Sequence, residues 1–255
     1  MKVCTDACLF GALIAQQIRN PPPDRISRAG KSEIRNVLDI GTGTGLLSLM
    51  LAQKNPHVII DAVEIDVAAA QQAKENFEAS PWKDRLHVYH TSIQQFNPST
   101  IQPFNQSTTP PFNHSTTQPL NQPTKYDLIL SNSPFFENDL KSDNARRNLA
   151  LHSSELSLEE LLNVVIKHLN DDGSFAVLLP YHRMQQFNNL ATQQSLHLSE
   201  KILVKQTPAH NYFRSMLCFT KEPTSTQQSE IIIQNEEGKY TIEFVELLKD
   251  YYLYL

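Results

Sequence analysis

Glycine is scarce in this sequence, which has 7 glycines and 15 prolines among its 255 residues. An average protein has roughly 7% glycine and 5% proline, so this chain holds fewer than half of the usual glycines. Three of the seven, Gly41, Gly43 and Gly45, nevertheless lie within five residues. Such a concentration indicates a place where the backbone adopts conformations that side chains disfavour, or approaches a ligand closely.

Long apolar runs are missing as well. The longest, residues 7–15, is far shorter than the roughly 18 residues that a membrane helix needs. It has the length of a signal-peptide core, but Asp6 precedes it and Lys2 alone supplies positive charge, so we expect no secretion signal. The 3 cysteines lack the paired spacing of a zinc site and predict reduced thiols in the cytoplasm, with no metal. A net charge of −5 argues against indiscriminate nucleic-acid binding but allows a local basic surface.

Residues 96–124 differ in composition from the rest of the chain. They contain three copies of an eight-residue unit, F-N-x-S-T-x-x-P, and a fourth fragment, with no Lys, Arg, Asp or Glu after Phe96. About one apolar residue per unit cannot build a core, so we predict a disordered insertion here. The whole chain, residues 1–255, is then predicted to form one domain that this insertion interrupts.

Outside the insertion, strand-like and helix-like segments alternate, which predicts an α/β domain. The predicted strands are 36–40, 57–64, 85–90, 126–131 and 174–180, followed by a hairpin of 196–206 with 212–220 and a last pair around 231–233 and 240. The predicted helices are 6–19, 44–54, 66–79, 157–169 and 242–252. Asp66 is a predicted N-cap, Ser157 and Glu160 form a capping-box pattern, and Gly173 is predicted to close the helix that they begin.

The three glycines form a turn between a predicted strand and a predicted helix, in the pattern Asp39-x-Gly41-x-Gly43-x-Gly45. In α/β folds such a turn lets the backbone approach a ligand, while the helix that follows offers free N–H groups. A dinucleotide site requires G-x-G-x-x-G, but Leu46 occupies the third glycine position. The observed spacing suits a ligand without a pyrophosphate and fits the class I methyltransferase pattern for S-adenosylmethionine, so Asp39 and the glycines are predicted cofactor contacts.

Two further strand ends carry candidate contacts for an adenosyl group. Glu64 ends the next predicted strand, where a carboxylate can accept hydrogen bonds from both ribose hydroxyls, and Ile65 would pack on the adenine. Methyltransferases often place an Asp near the end of the third strand to bind the adenine amine. Ser92 takes that position here, with Ile93 predicted beside the ring.

The segment Asn132-Ser133-Pro134-Phe135-Phe136 follows the fourth predicted strand. It resembles the N-P-P-[YF] signature of amino-methyltransferases, with Ser133 in place of the first Pro. The Asn132 side-chain oxygen and the Ser133 carbonyl can each accept one N–H of an exocyclic adenine amine and so direct its lone pair toward the methyl donor. Pro134 restricts Ser133 to extended conformations, and Phe135 offers a stacking face. The predicted catalytic residues are Asn132, Ser133, Pro134 and Phe135; Asn132 also borders the cofactor, and Phe135 and Phe136 bind the substrate.

The first twelve residues, M-K-V-C-T-D-A-C-L-F-G-A, resemble the M-K-V-x-T-D-x-x-L-L-G-A opening of one bacterial family. These are the tRNA (adenine-N6)-methyltransferases that act on adenosine 37 of a valine tRNA, and the resemblance extends over nearly the whole chain outside the repeats. It implies a Rossmann-like class I methyltransferase fold with a seven-stranded, mostly parallel sheet and helices on both faces. It also implies S-adenosyl-L-methionine as cofactor, the tRNA anticodon loop as partner, a cytoplasmic location, and Thr5 and Asp6 near the methionine end of the cofactor.

Positive charge near the catalytic segment predicts where tRNA binds. A flipped base that enters at Asn132 must carry its backbone past the following loop, so that loop is predicted to contact phosphates. Its basic residues are Lys141, Arg146 and Arg147. Further basic residues occur in 19–35 and, near the last strands, at Lys201, Lys205 and Arg214. Solvated surface charge is the ordinary interpretation of each group.

Three other functions fit parts of the sequence. Glutamine methyltransferases of release factors share the N-P-P-[YF] signature, because the same Asn can orient a side-chain amide. A nicotinamide-dependent oxidoreductase is disfavoured by Leu46 and by the lack of evident hydride-transfer residues. A non-catalytic tRNA-binding protein is the third alternative, since Ser92 and Ser133 depart from the methyltransferase patterns.

Overall fold

The computed structural model describes residues 5–19, 34–104, 125–132 and 156–254. The helices in these ranges are α1 (Thr5–Arg19), α2 (Leu46–Lys54), α3 (Val67–Ala79), α4 (Leu158–His168), α5 (Met184–Gln193) and α6 (Ile242–Leu248). The strands are β1 (Asn36–Ile40), β2 (Ile59–Glu64), β3 (Leu86–His90), β4 (Tyr126–Ser131), β5 (Leu169–Pro180), β6 (His197–Lys205), β7 (Tyr212–Thr220) and β8 (Gln227–Ile232).

All eight strands form one sheet in the order β3-β2-β1-β4-β5-β7-β6-β8. The strands from β3 to β5 are parallel, β7 runs antiparallel to both β5 and β6, and β8 is parallel to β6. The predicted α/β fold with a mostly parallel sheet is confirmed. The sheet has eight strands rather than seven, because β8 pairs with the outer side of β6.

Helices cover both faces of the sheet. On the first face, α1, α2, α3 and α6 bury a core that includes Phe10, Leu51, Phe77 and Phe244. On the second face, α4 and α5 bury another core that includes Phe187. Side chains alternate between the faces of a strand, and the inner strands are therefore apolar on both sides, as parallel strands between two helical layers require.

The two predicted helix caps form as expected. The Asp66 side chain accepts a hydrogen bond from the N–H of Ala69 at 2.8 Å, and Ser157 and Glu160 form a reciprocal capping box. The prediction that Gly173 closes the second of these helices is wrong. The helix ends at His168, because Leu169 already pairs with β4 as the first residue of β5.

The predicted disordered insertion begins with an ordered part, residues 96–104. Phe96 is buried in the second core and Ile101 packs against that core, while the N–H of Phe104 donates a hydrogen bond to the Val88 carbonyl of β3 at 2.6 Å. The first repeat, with Phe104 of the second copy directly after it, therefore lies beside β3, one of the two edge strands. Its Ile101 is an apolar anchor that the other two copies replace with Thr. Residues 105–124 lie outside the described residues, and disorder there stays a prediction.

Two features are absent from the described ranges. None of their helices combines the length and the apolarity that crossing a membrane requires. Within the same ranges, no three His, Cys, Asp or Glu side chains converge on a position for a metal ion.

Candidate active site

Four of the predicted groups meet at one edge of the sheet, where the parallel strands end; we call this the carboxyl edge. In the strand register, Ile40 of β1 pairs with Val63 of β2 and with Ser131 of β4, and Glu64 pairs with His90 of β3. The glycine turn, Glu64, Ser92 and Asn132 therefore follow neighbouring strand ends. In α/β sheets this edge is where ligands bind.

The glycine turn uses conformations that favour glycine. Gly41, Gly43 and Gly45 have φ values of +70°, +59° and +83°, in the left-handed region. The N–H groups of Gly41 and Thr42 both donate to the Val63 carbonyl, at 2.9 and 3.1 Å, which holds the turn against β2. A Cβ atom on Gly45 would lie 2.4 Å from the Phe77 ring. The turn therefore requires glycine for backbone conformation and, at Gly45, for space.

Asp39 lies beneath the turn and is fully buried. Its Oδ2 accepts hydrogen bonds from the hydroxyls of Thr42 and Ser48, each at 2.7 Å, and thereby ties the turn to α2. Its Oδ1 has no hydrogen-bond partner among the described residues. Burial raises the pKa of Asp39 to about 6. Asp39 thus supports the turn from below, while its predicted contact with the cofactor stays a prediction.

The buried Asp39 carboxyl predicts a pH-dependent stability. Because its pKa rises from 3.8 to about 6 on folding, the native state binds more protons than the unfolded state between these values, and wild-type stability falls as pH rises through this window. Asp39→Asn removes the effect. We expect the unfolding free energy of Asp39→Asn minus that of wild type to increase by about 2 kcal/mol between pH 4 and pH 8, measured by urea titration. A difference that does not change with pH would contradict this.

Glu64 joins the glycine turn to the next loop. Its Oε2 accepts a hydrogen bond from the Gly43 N–H at 2.8 Å, and its Oε1 accepts one from the Asp66 N–H at 2.9 Å. A carboxylate has about four acceptor positions, so each oxygen retains capacity for a ribose hydroxyl. The Glu64 carbonyl accepts from the Thr91 N–H at 3.0 Å, which brings the end of β3 beside it.

The predicted adenine contacts differ in exposure. Ile65 is 50% exposed beside Glu64, whereas Ile93 is 7% exposed and packs in the second core. Ser92 is half-buried at the start of the turn after β3. Of the two isoleucines, Ile65 therefore has the larger surface available for the face of a base.

The sequence analysis missed one support of the turn. The Asn76 side-chain amide on α3 donates a hydrogen bond to the Thr44 carbonyl at 2.8 Å. Asn76 lies in the third turn of a helix, where an Asn usually faces solvent, so no local pattern indicates this role.

Asn132 directly follows β4 and is half-buried. Ser131 before it donates a hydrogen bond from its hydroxyl to the Ile40 carbonyl at 3.0 Å, which fixes the end of β4 against the start of the glycine turn. Asn132 therefore stands next to the predicted cofactor site. The other predicted catalytic and substrate-binding residues lie outside the described residues: Ser133, Pro134, Phe135, Phe136, Lys141, Arg146 and Arg147.

An ion pair brings the start of α1 to the same edge. Asp6 Oδ2 lies 2.6 Å from Arg214 Nε, and Arg214 on β7 pairs in register with Pro180 at the end of β5. Thr5 precedes Asp6 as the first, exposed residue of α1. The sequence suggested Arg214 only as surface charge, because its partner is 208 positions away.

The residues at this edge fit an adenosyl cofactor. The turn offers three glycines without side chains, Glu64 beside it has spare acceptor capacity, and Ile65 presents an exposed apolar face. Glu64, Ile65 and the turn would hold the adenosine end, with Asp6 on the other side of β1.

Comparisons with known proteins agree with this arrangement. The family description "Methyltransferase small domain" matches residues 26–118. Among solved structures, a predicted O-methyltransferase from Agrobacterium tumefaciens is similar with a TM-score of 0.61 at 11% identity, covering 95% of each chain. A type I restriction-modification methyltransferase subunit from Streptococcus thermophilus has a TM-score of 0.56 at 14% identity, covering 98% of this chain and 52% of that one. These two structures support the fold alone.

Curated relatives are similar over nearly the full length. The tRNA1(Val) (adenine(37)-N6)-methyltransferase of Flavobacterium psychrophilum is 34% identical over 253 residues, which cover 99% of this chain and 93% of that protein. Its counterpart in Pseudoalteromonas translucida is 35% identical over 253 residues, covering 99% and 92%. The counterpart in Proteus mirabilis is 34% identical over 259 residues, covering 100% and 88%. The chain therefore belongs to the tRNA1(Val) (adenine(37)-N6)-methyltransferase family.

Proposed function

We propose that this protein methylates N6 of adenosine 37 in a valine tRNA, with S-adenosylmethionine as the methyl donor. One observation carries the proposal: the glycine turn with Glu64, and Asn132, follow adjacent strand ends that the Ser131–Ile40 hydrogen bond holds together. A cofactor site and an amine-orienting Asn are therefore side by side. Family membership supplies the tRNA and the position.

The predicted cofactor residues hold different parts of S-adenosylmethionine along the carboxyl edge. Glu64 accepts the ribose hydroxyls, Ile65 packs on the adenine, and Ser92 accepts a hydrogen bond from the adenine amine. The glycine turn approaches the donor through its backbone, while Thr5 and Asp6 lie at the methionine end. When bound, S-adenosylmethionine supplies a methyl group on a positively charged sulfur, which leaves as a neutral thioether after transfer. Asp39 lies below the glycine turn and maintains the conformation of that turn.

Asn132 orients the attacking amine. The N6 lone pair of adenine is delocalised into the ring, so the amine is a weak nucleophile until its two N–H groups are fixed. Asn132 accepts one of them through its side-chain oxygen and Ser133 accepts the other through its carbonyl, which points the lone pair at the methyl carbon. The amine loses one proton during or after transfer, so no strong general base is needed. Phe135 stacks on the flipped base, with Pro134 and Phe136 shaping the pocket.

The tRNA backbone passes the segment after the catalytic motif. Lys141, Arg146 and Arg147 contact its phosphates, and the attraction is localised because the protein as a whole carries a charge of −5. A tRNA substrate also places the protein in the cytoplasm.

A labelled-methyl assay tests the proposed function. The protein and labelled S-adenosylmethionine are incubated separately with unmodified tRNA and with a release-factor protein that carries a methylatable glutamine. We expect label in the tRNA fraction only. Label in protein would favour the glutamine methyltransferase, and cofactor binding without transfer to either substrate would favour a non-catalytic tRNA-binding protein.

The Asp6–Arg214 ion pair gives a separate prediction. Arg214→Gln and Asp6→Asn are each expected to raise the KM for S-adenosylmethionine, because the start of α1 loses its tie to β7. The side chains of Asp6 and Arg214 are 14% and 35% exposed, respectively, so screening limits the coupling energy in a double-mutant cycle to about 1 kcal/mol. Additive effects of the two substitutions on stability and on KM would contradict the coupling. Lys83→Ala, at an exposed Lys before β3, is the control.

A further inference from the structure

The carboxyl edge has a second half that the adenosine end of the cofactor does not use. Beyond Asn132, the sheet continues to the end of β5, the start of β7 and the end of β6. The predicted contacts for the adenosine end of the cofactor follow β1, β2 and β3, on the other side of β4, whereas Asp6, at the predicted methionine end, is tied to β7 through Arg214. A base that reaches Asn132 therefore has its neighbours over the β5–β7 half.

Five side chains with aromatic rings or cationic groups lie on this half. They are Tyr181, His182, Arg183, His210 and Tyr212, which we call the β5–β7 surface. The first three form a short 3-10 turn directly after β5, and the last two lie at the start of β7. His182 and His210 are exposed, and the other three are partly exposed.

Two of these residues form an aromatic pair. The ring centroids of Tyr181 and Tyr212 are 5.2 Å apart, with an interplanar angle of 41°. Lys205 Nζ lies 4.6 Å from the Tyr212 centroid, and the Tyr212 hydroxyl donates to Glu230 at 2.7 Å, which holds the ring in place. Two chain segments far apart in sequence thus present a fixed pair of partly exposed rings beside the active site.

The charged groups of this half include three cationic side chains, Arg183, Lys205 and Arg214. Of the acids near the rings, Glu230 pairs with Lys205 at 3.7 Å and Asp6 pairs with Arg214. Arg183 lies within the same 3-10 turn as Tyr181, and its Nη1 donates a hydrogen bond to Gln186 at 3.1 Å. Aromatic faces interleaved with cationic groups match the surface of unpaired RNA, which offers bases for stacking and phosphates for ion pairing.

From this geometry we infer that the β5–β7 surface binds the unpaired nucleotides that flank the target adenosine. Flipping the adenosine removes the stacking partner of its neighbours. Tyr181 and Tyr212 replace that partner with an aromatic face, and Arg183 pairs with a phosphate of the same nucleotides. The inference rests on the proposed function and adds to it a second RNA contact, separate from Lys141, Arg146 and Arg147.

The test measures binding of a hairpin RNA with the anticodon-loop sequence, by fluorescence anisotropy at several salt concentrations. Tyr181→Leu and Tyr212→Leu are expected to weaken binding about tenfold or more, at unchanged salt dependence. Tyr181→Phe keeps the ring and should bind as wild type does, and Tyr212→Phe, which keeps the ring but loses the bond to Glu230, should lose much less affinity than Tyr212→Leu. Tyr254→Leu is the control, at a tyrosine that is 92% exposed near the chain's C-terminal end.

Arg183→Ala has a different expected signature. Losing one phosphate contact should lower the slope of log K against log salt by about 0.7, whereas Lys83→Ala, at the opposite edge of the sheet, should leave the slope unchanged. S-adenosylmethionine affinity should stay as in wild type for every variant, and the melting temperature of each variant separates a loss of RNA binding from a loss of folding. The salt dependence of binding by Arg183→Ala therefore tests the inference even if a Leu variant fails to fold.

The outcomes separate the two proposals. If the wild-type protein methylates tRNA but the Leu variants and Arg183→Ala bind the hairpin as wild type does, the β5–β7 surface is not an RNA contact and the proposed function stands. If the wild-type protein neither binds the hairpin nor methylates tRNA, both proposals fail. Equal losses in the Leu and Phe variants would overturn the stacking role.

Discussion

Replacing Asn132 with Ala is expected to lower kcat for tRNA methylation by at least about a hundredfold, while S-adenosylmethionine binds as in wild type. The side-chain oxygen that fixes one N–H of the amine is lost, so the lone pair is no longer directed at the methyl group. The glycine turn and Glu64 form their hydrogen bonds without Asn132, so the cofactor site is retained. Single-turnover kinetics and calorimetry measure the two properties separately.

The control for this variant is Asn189→Ala, at an exposed Asn on α5. It should leave both turnover and cofactor affinity unchanged. Wild-type turnover in Asn132→Ala would remove Asn132 from catalysis. Loss of cofactor binding in the same variant would instead make Asn132 a structural part of the cofactor site.

Gly43→Val is expected to abolish S-adenosylmethionine binding. The φ of +59° at Gly43 disfavours any side chain, and a β-branched one most of all. The Gly43 N–H also donates to Glu64, so a shift of the turn releases the carboxylate that is proposed to hold the ribose. Calorimetric titration with the cofactor measures the effect.

Gly238→Val is the matched control for backbone strain. Gly238 has a φ of +76°, close to that of Gly43, and a Cβ atom there would meet nothing within 4 Å. This variant should lose about 1–2 kcal/mol of stability and keep its cofactor affinity. Similar cofactor affinities in the two variants would contradict the role of the glycine turn.

Much of the fold follows from local sequence patterns. The apolar runs at β1 and β4 have the predicted bounds, and Asp66 and Ser157 cap helices where expected. These features depend on residues close together in the chain. The position of Glu64 and Asn132 at the carboxyl edge could also be predicted, because the carboxyl ends of parallel strands lie at the same edge of a sheet.

Features that depend on distant residues were not predictable in the same way. The Asp6–Arg214 pair joins α1 to β7, and β8 adds an eighth strand through pairing with β6. The first repeat is ordered because Ile101 packs against the second core, although the composition of the repeat alone indicates disorder. Asp39 carries the signature of a cofactor contact, yet its two hydroxyl partners place it below the turn. In each case a tertiary contact decides what a local pattern leaves open.

The central claim is that the cofactor site and Asn132 act together on one adenine amine. The most direct measurement is methylation of an unmodified valine tRNA transcript, followed by nuclease digestion and mass spectrometry of the nucleosides and fragments. We expect N6-methyladenosine at position 37, no product from a transcript with guanosine at that position, and no product with Asn132→Ala. Methylation at another nucleoside or another position, or N6-methyladenosine formed equally well by Asn132→Ala, would contradict the account.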